Sequence, residues 1–320
     1  MLNNTDFRLI GKLEENGRAS YIELAQALKI NPSTVAKKVK YLLKEGIITI
    51  KAVPNPYKLG HTANALIVMN VPMNKIDDVC LRLKPKFNVN LIVTTFGRFY
   101  LILGVHYPTW DMLLSFISSE LSDTGDVSEM ETYFVKGVWK RYYGVSSDNY
   151  LDQNVAKIDD VDLRLIEELA NNGRYSCLHL SEKMGISLSA VSKRLAGLLK
   201  DNVIQIRAIP SATKMGYQSN AYIFIHAERE KIDEICNRLY SYREVSTLMT
   251  LMNGYGIHAS ILARTPETLY DFLKKKVASI PGVTRMETLI HGELIKRYYG
   301  TFHQSESDLA VLSKSEPRLK

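Results

Sequence analysis

The sequence has no apolar run long enough to cross a membrane, and it contains little cysteine. None of its apolar runs approaches the ~18 residues that a membrane-spanning helix needs. The first residues, MLNNTDFRLIGKLEENGR, lack the apolar core of a signal peptide, so we expect a cytoplasmic protein without membrane contact. Cys80, Cys177 and Cys236 are odd in number and far apart, which argues against a disulfide framework and against a CxxC zinc or redox site.

The patterns of catalytic and metal-binding sites are missing as well. The seven histidines have no metal-ligand spacing such as HxxxH, and no GxSxG, P-loop or GxGxxG sequence occurs. We therefore predict no catalytic residues, no metal, no cofactor and no enzymatic activity.

Positive charge, in contrast, is present and concentrated. The net charge is +7. Residues 1–60 hold 10 Lys and Arg against 5 Asp and Glu, and residues 157–216 hold 9 against 7, so the rest of the chain is neutral in sum. A basic excess confined to two segments is typical of a surface that binds a polyanion such as nucleic acid.

The two basic segments are copies of one another. Residues 6–60 align with residues 162–216 without a gap and share 23 of 55 positions. The same offset of 156 residues brings KRYYG at 140–144 onto KRYYG at 296–300. This pattern predicts a tandem duplication. We interpret KRYYG as the end of each unit, with its tyrosines against the sheet or a subunit contact and its basic side chains in solvent.

Each copy changes from helical to strand-like periodicity partway along. Residues 6–45 predict three helices, with Ile22 among the buried residues of the second. The third is predicted to begin after Asn31, with Pro32 at its first position, and to end at Gly46, where the other copy has Asn202. The order βαββαβ follows. The predicted fold class is α+β, with two winged-helix-like helix-turn-helix domains alternating with two ferredoxin-like domains.

The third helix of each copy carries the strongest candidate binding residues. In NPSTVAKKVKYLLKEG, an apolar stripe faces inward, and hydroxyl and basic residues lie away from it. Such a helix enters the major groove of double-stranded DNA, where Lys and Arg meet phosphates or guanine edges; a merely solvated face is the alternative. The predicted DNA-binding residues are Ser33, Thr34, Lys37, Lys38 and Tyr41 in the first copy and Ser189, Lys193 and Arg194 in the second.

These residues carry a resemblance to a known family. Asn16-Gly17-Arg18, Ser33-Thr34-Val35 and Gly46-Ile47-Ile48 stand in the order and spacing of the Lrp/AsnC family of prokaryotic transcription regulators, and the chain resembles two fused members. The resemblance implies, in each copy, a helix-turn-helix followed by a ligand-sensing and oligomerising domain called RAM. The implied boundaries are helix-turn-helix domains at 1–50 and 158–206, RAM domains at 61–145 and 217–300, a linker at 146–157 and a flexible tail at 301–320.

The resemblance also implies a small-molecule effector site in the RAM domains. Family members bind an amino acid with Gly-x-x-Asp-like residues between the second and third RAM strands. Both glycines occur here, but neither copy has the acidic residue, so sensing of ordinary amino acids is not expected. An anionic or aromatic effector and an unused pocket both remain open. The candidate effector residues are Gly97, Arg98, Tyr100, Gly254 and Tyr255.

Siroheme decarboxylases resemble the chain in architecture and are the alternative. They carry a stretch like HxxNxWF near the same turn, whereas TTFGRFYLILG and LMNGYGIHAS lack it. We therefore predict a sequence-specific DNA-binding transcriptional regulator, a single-chain pseudo-dimer that reads an imperfect palindrome and self-associates through its RAM domains. Lys40-Tyr41 of the first copy corresponds to Ala196-Gly197 of the second, so the two DNA half-sites need not be identical.

Overall fold

The computed structural model of the protein describes residues 2–121, 126–140 and 154–297. The first repeat opens with three helices and a strand, and then continues in the order βαββαβ. Its elements are α1 (Asn4–Glu15), α2 (Tyr21–Leu28), α3 (Pro32–Lys44), β1 (Ile48–Pro54), β2 (Ala63–Asn70), α4 (Ile76–Leu83), β3 (Val89–Phe96), β4 (Leu101–Tyr107), α5 (Trp110–Ser115), which continues as a π-helical turn (Phe116–Leu121), and β5 (Glu129–Lys140).

The second repeat has the same order of elements. They are α6 (Asp160–Asn171), α7 (Cys177–Met184), α8 (Leu188–Lys200), β6 (Ile204–Pro210), β7 (Ser219–Ala227), α9 (Ile232–Ser241), β8 (Val245–Leu251), β9 (Gly256–Ala263), α10 (Pro266–Phe272), which continues as a π-helical turn (Leu273–Val277), and β10 (Val283–Arg297). The predicted α+β class, with two helix-turn-helix units and two ferredoxin-like units, is confirmed.

The helical halves of the two repeats are joined by an antiparallel ribbon of β1 and β6. In its register Lys51 lies opposite Arg207, its own equivalent in the other repeat. A two-fold axis that relates the repeats therefore passes through the middle of the ribbon. The six helices and the ribbon share one apolar core, which includes Leu13 from the first repeat and Leu169 from the second.

The two ferredoxin-like sheets obey the same symmetry. The strand order is β3-β4-β2-β5 in the first and β8-β9-β7-β10 in the second, and the pairs β5–β8 and β10–β3 close the eight strands on themselves. Val135 lies opposite Leu251, and the equivalent residues His291 and Thr95 lie opposite each other. A further apolar core fills the space between the two sheets. The two repeats of the chain are thus related by an approximate two-fold axis, as the two subunits of a symmetric dimer are.

Two expectations from the sequence are wrong. Ile22 is 62% exposed, because α2 packs inward through Leu24, Ala25 and Leu28. Lys140 and Lys296 are not solvated, since each reaches a main-chain oxygen of the opposite repeat: Lys140 Nζ donates to Tyr242 O at 2.9 Å and Lys296 Nζ donates to Lys86 O at 2.6 Å. Arg297 is half-buried at the end of β10. Arg141, residues 142–144 and 298–300, most of the linker and the tail lie outside the described residues.

A titratable carboxyl group lies beside the ribbon centre. The main-chain oxygen of Glu14, at the end of α1, accepts a hydrogen bond from Arg207 Nη1 at 2.9 Å. Burial raises the pKa of the Glu14 carboxyl from 4.5 to about 7, against the attraction of Arg207, which lowers it. Between these two values the folded protein binds the proton more strongly than the unfolded chain, so stability decreases as pH rises through this window.

Replacing Glu14→Gln should therefore remove part of the pH dependence of stability. The free energy of unfolding at pH 8 should rise by about 1–3 kcal/mol, and it should change little near pH 4, where the carboxyl is protonated in both states. Urea unfolding at several pH values measures this, with the exposed Glu15→Gln as the matched control. Identical pH profiles for Glu14→Gln and the wild type would contradict the burial argument.

Candidate nucleic-acid interface and effector region

Helix α3 begins and ends where local chemistry places it. Asn31 Oδ1 accepts a hydrogen bond from the Ser33 backbone N–H at 2.9 Å, and Pro32 occupies the first helical position. The residue that follows the helix end is left-handed in both repeats, with φ of 60° at Gly46 and 54° at Asn202. The predicted beginning and end of this helix are confirmed. The inward stripe consists of Val35, Val39 and Leu42.

Helices α3 and α8 are here called the reading helices. Their outward faces carry most of the predicted DNA-binding residues. Ser33, Thr34 and Lys37 are exposed on α3, and Tyr41 is 50% exposed. On α8, Ser189 and Lys193 are exposed. These six side chains are available to a groove or to phosphates, and their role in DNA binding stays a prediction.

The two basic doublets are split between the surface and the fold. Lys38 Nζ pairs with the buried Asp6 carboxylate of α1 at 2.7 Å. Its equivalent, Arg194, pairs through Nη1 with Asp159 and Asp162 at 2.8 and 2.9 Å. The second residue of each doublet thus ties its reading helix to the first helix of its own unit. The first residue of each doublet, Lys37 or Lys193, projects outward.

Two arginines hold the helix-turn-helix units against each other. Arg18 Nη1 donates to Gly173 O at 2.9 Å, and Arg174 Nε donates to the equivalent Gly17 O at 2.9 Å. A Cβ atom on Gly17 would lie 3.0 Å from the backbone of Arg207, which explains the glycine at this position. These residues stand out in the sequence because they occur in both repeats, but their hydrogen bonds between the two units were not predicted. The relative placement of the reading helices is fixed by these contacts and by the ribbon.

The predicted effector glycines lie between the two sheets. Gly97 has φ of 147°, and a Cβ atom there would meet Leu289 of the other repeat at 2.8 Å. Gly254 has φ of 67°, and a Cβ atom there would meet the ring of Tyr133, the equivalent of Leu289, at 2.9 Å. Both loops therefore need glycine for their backbone conformation and for their close approach to the opposite strand.

Arg98 is surrounded by carboxylates that sequence reasoning missed. Its Nη2 lies 2.5 Å from both Glu129 and Glu131 of β5, and its Nη1 lies 3.8 Å from Glu287 of β10. Glu131 and Glu287 are equivalent in the two METxx stretches, and that repetition was the signal that could have found them. The carboxylates offset the arginine charge, so Arg98 is poorly suited to hold an anion.

The remaining candidate effector residues have different surroundings. Tyr255 is buried, and its hydroxyl donates to Glu287. Gly254 and Tyr255 line a cavity of about 1040 Å³ together with Lys136, Trp139 and Arg229. Tyr100 instead packs against the apolar core of the first ferredoxin-like unit. Arg98 and Tyr255 thus contact the same carboxylate, Glu287, whereas Tyr100 lies apart from them.

His258, which lies near the β8–β9 turn, is fully buried. Its ring stacks on Tyr222 at 5.7 Å between centroids and lies 4.9 Å from the Phe224 ring. Burial lowers the pKa of His258 to about 3, so the ring is neutral at physiological pH. A neutral imidazole enclosed by aromatic rings is typical of a core position.

The helix-turn-helix units match a known family model in both repeats. A model described as winged helix-turn-helix DNA-binding matches residues 2–49 and 158–205. A model described as the Lrp/AsnC ligand-binding domain matches residues 220–300. An uncharacterised HTH-type transcriptional regulator of Pyrococcus furiosus is 32% identical over 144 residues, which cover 45% of this chain and 97% of the relative.

The chain belongs to the Lrp/AsnC family. It is an Lrp/AsnC-type DNA-binding regulator with two helix-turn-helix units. The regulator LrpA of Pyrococcus horikoshii is 31% identical over 142 residues, which cover 43% of this chain and 99% of LrpA. Each of these relatives therefore corresponds to about one repeat. The ferredoxin-like units are accordingly called RAM domains below.

A solved structure that matches the whole length of this Lrp/AsnC chain is an enzyme. The siroheme decarboxylase NirDL superposes with a TM-score of 0.69 at 15% identity, over 97% of this chain and 98% of NirDL. This likeness concerns the fold alone. It contradicts the prediction of no enzymatic activity. That prediction rested on missing catalytic sequence patterns, and an enzyme has the same architecture.

No helix in the described part of the chain is both long and apolar enough to cross a membrane.

The split of the basic doublets leads to a test with separate readouts. Lys37→Ala with Lys193→Ala should weaken DNA binding and reduce the salt slope by ~0.9 for each phosphate that is no longer neutralised, while unfolding free energy changes by less than about 0.5 kcal/mol. Lys38→Ala should cost about 1–3 kcal/mol of stability, because the Asp6 carboxylate stays buried without its partner. Fluorescence anisotropy on DNA from upstream of the gene, and urea unfolding, measure the two effects. Wild-type affinity and salt slope in the double variant would exclude the reading helices as the interface.

Proposed function

We propose that this regulator reads an imperfect palindrome with both reading helices of one chain, as a single-chain pseudo-dimer. The observation that carries the proposal is the ribbon register, in which Lys51 lies opposite its equivalent Arg207. A two-fold axis between two helix-turn-helix units matches the two-fold axis of a palindromic DNA site, with half-sites about one helical turn or a multiple apart.

The two half-sites are expected to differ in sequence and in strength. Residues 40 and 41 are exposed Lys and Tyr on α3, and the equivalent positions on α8 are Ala196 and Gly197. The first reading helix therefore offers one more cation and one more aromatic ring to the DNA. The first helix should make more phosphate contacts, and DNA binding by the second helix should depend more on shape complementarity with the groove than on charge.

Association of further chains is also part of the proposal. Within the described residues, each strand of the two RAM sheets pairs with strands of the same chain on both sides, so no sheet edge is left for a second chain. The outer helices are the surface that could contact another chain. Exposed apolar side chains lie on several of these helices: Leu81, Met112, Leu114, Tyr240 and Tyr270.

Footprinting on one operator fragment tests whether each reading helix binds a different half-site. Lys37→Ala should weaken protection of one half-site, and Lys193→Ala should weaken protection of the other, because each helix occupies one groove. DNase protection of the same labelled fragment by wild type and both variants gives the comparison. Weaker protection of the same half-site by both variants would contradict the pseudo-dimer proposal.

A siroheme decarboxylase is the second candidate function, because the full-length structural likeness is to such an enzyme. The cavity next to Tyr255, with Lys136 and Arg229 in its lining, offers volume and positive charge for a polycarboxylate. Against it, the HxxNxWF-like stretch is missing and His258 is enclosed by the core.

Incubation with siroheme separates the two candidates. A regulator should leave the absorption spectrum and the mass of siroheme unchanged while it binds operator DNA. A shifted spectrum together with mass loss corresponding to carbon dioxide would assign the enzymatic function instead, and Lys136→Ala with Arg229→Ala should then weaken siroheme binding.

A further inference from the structure

A groove of about 890 Å³ lies beside the second reading helix. Its walls are residues 154–158 of the linker on one side and α8 on the other, and it is here called the linker groove. Gly197 of α8 lines it, and a Cβ atom at this residue would meet nothing within 4 Å. The equivalent residue of α3 is Tyr41, whose side chain is 50% exposed. The glycine therefore leaves open a space that a tyrosine takes on the first reading helix.

The linker wall is attached to the fold on both sides of Lys157. Ala156 N donates to a main-chain oxygen of the first repeat at 2.9 Å, and Asp159 pairs with Arg194 of α8 at 2.8 Å. Ala156 and Ile158 also pack against the core that the six helices share. Lys157, between them, is exposed and lines the groove. Its place beside α8 is therefore determined by these contacts.

The ion pair that attaches the linker to α8 depends on a charge that the first repeat lacks. The residue equivalent to Asp159 is Asn3, and Lys38, the equivalent of Arg194, pairs with Asp6 instead. Both Asn3 and Asp159 cap the first helix of their unit by accepting a backbone hydrogen bond. An uncharged side-chain oxygen is enough for a cap. The negative charge of Asp159 thus serves the contact with α8.

Three exposed cations line the linker groove: Lys157, Lys193 and Lys200. None of their ammonium groups has an ion pair or a hydrogen bond among the described residues, so they are available to a ligand. Lys193 and Lys200 are seven residues apart, which places them about 10 Å apart along the same face of α8. Two carboxylates also line the groove, and one of them, Asp162, pairs with Arg194. The other is Asp201, so cations remain in excess.

We propose that the linker groove binds a sugar–phosphate strand of the operator, and that Lys157 contacts a phosphate at the second half-site. A row of lysines suits this ligand because a phosphodiester strand carries one negative charge per nucleotide, and lysine binds phosphate as a point charge. An open groove with exposed cations suits a long polymer better than a small anion, which is usually enclosed by its site. The inference rests on the proposed DNA-binding function and extends the interface from the helices to the linker.

The linker contact changes the comparison between the two half-sites. Helix α3 exposes Lys40 and Tyr41, where α8 has Ala196 and Gly197. Lys157 supplies a cation to the second half-site from outside the helix. The strand bound there lies beside Gly197, where a tyrosine ring would occupy the same space. The two units therefore hold DNA phosphates with different elements.

The salt dependence of operator binding tests the linker contact. Lys157→Ala should reduce the slope of log K against log salt by ~0.9, because one phosphate is no longer neutralised, and Lys157→Arg should keep the wild-type slope. Lys276→Ala is the matched control, since it removes an exposed lysine of the second RAM domain, and it should also keep the wild-type slope. Fluorescence anisotropy at several salt concentrations measures the slopes, and thermal unfolding verifies that each variant is folded. A wild-type slope in Lys157→Ala would overturn the proposal.

Ethylation interference on the same operator locates the contact. Phosphates whose ethylation blocks binding of the wild type mark the contacts on each strand. Lys157→Ala should be insensitive to ethylation of at least one of these phosphates, and that phosphate should belong to the half-site at which Lys193→Ala weakens protection. An unchanged interference pattern, or a contact missing from the other half-site, would contradict the proposal.

The same measurements separate this inference from the proposed function. Weaker operator binding by Lys193→Ala together with a wild-type slope in Lys157→Ala would leave the DNA-binding function standing and exclude the linker contact. If the wild-type chain bound no DNA at any salt concentration, the function and the linker contact would both be wrong.

Discussion

The register of the β1–β6 ribbon is the constraint on which the rest of the molecule depends. With Lys51 opposite Arg207, the repeats are related by a two-fold axis, so a contact between equivalent residues can occur twice, once on each side of it. The reciprocal contacts of Arg18 and Arg174 and the two strand pairs that close the RAM sheets follow this rule. A shift of the ribbon by one residue would turn its buried side chains outward and break all of these pairs together. The placement of the reading helices is therefore a property of the ribbon register.

Much of this was readable from the sequence because it depends on local chemistry. The Asn31 cap, the left-handed residues Gly46 and Asn202 and the βαββαβ order all come from short-range preferences, and the repeat revealed the duplication. What the sequence could not show depends on contacts across the chain. Lys38 and Arg194 look like surface cations beside Lys37 and Lys193, and only their distance to Asp6 and Asp162 shows that they stabilise the unit.

The effector region shows the same limit. The loops at Gly97 and Gly254 lack an acidic residue, as the sequence indicated, but three carboxylates reach Arg98 from strands far away in sequence. Likewise, the sequence alone does not show the consequence of having Leu262 in the second repeat where the first repeat has His106. In the structure the Asn220 side-chain oxygen has no hydrogen-bond partner among the described residues, whereas that of Asn64 bonds to the His106 ring. Such departures from the repeat symmetry become visible only as contacts in the folded chain.

The likeness to NirDL shows that a paired architecture of this kind does not by itself determine whether a protein binds DNA or acts on a substrate. The distinction lies in side chains. The reading helices expose hydroxyl groups and lysines, and the ring of His258 is neutral and enclosed. These features, together with relatives that are named as regulators, favour DNA as the partner of this chain.

The central claim is that one chain occupies both half-sites of its operator. A stoichiometric titration of operator DNA, at concentrations well above the dissociation constant, measures this directly. The account predicts an equivalence point at one chain per operator of two half-sites. An equivalence point at two chains per operator would contradict it.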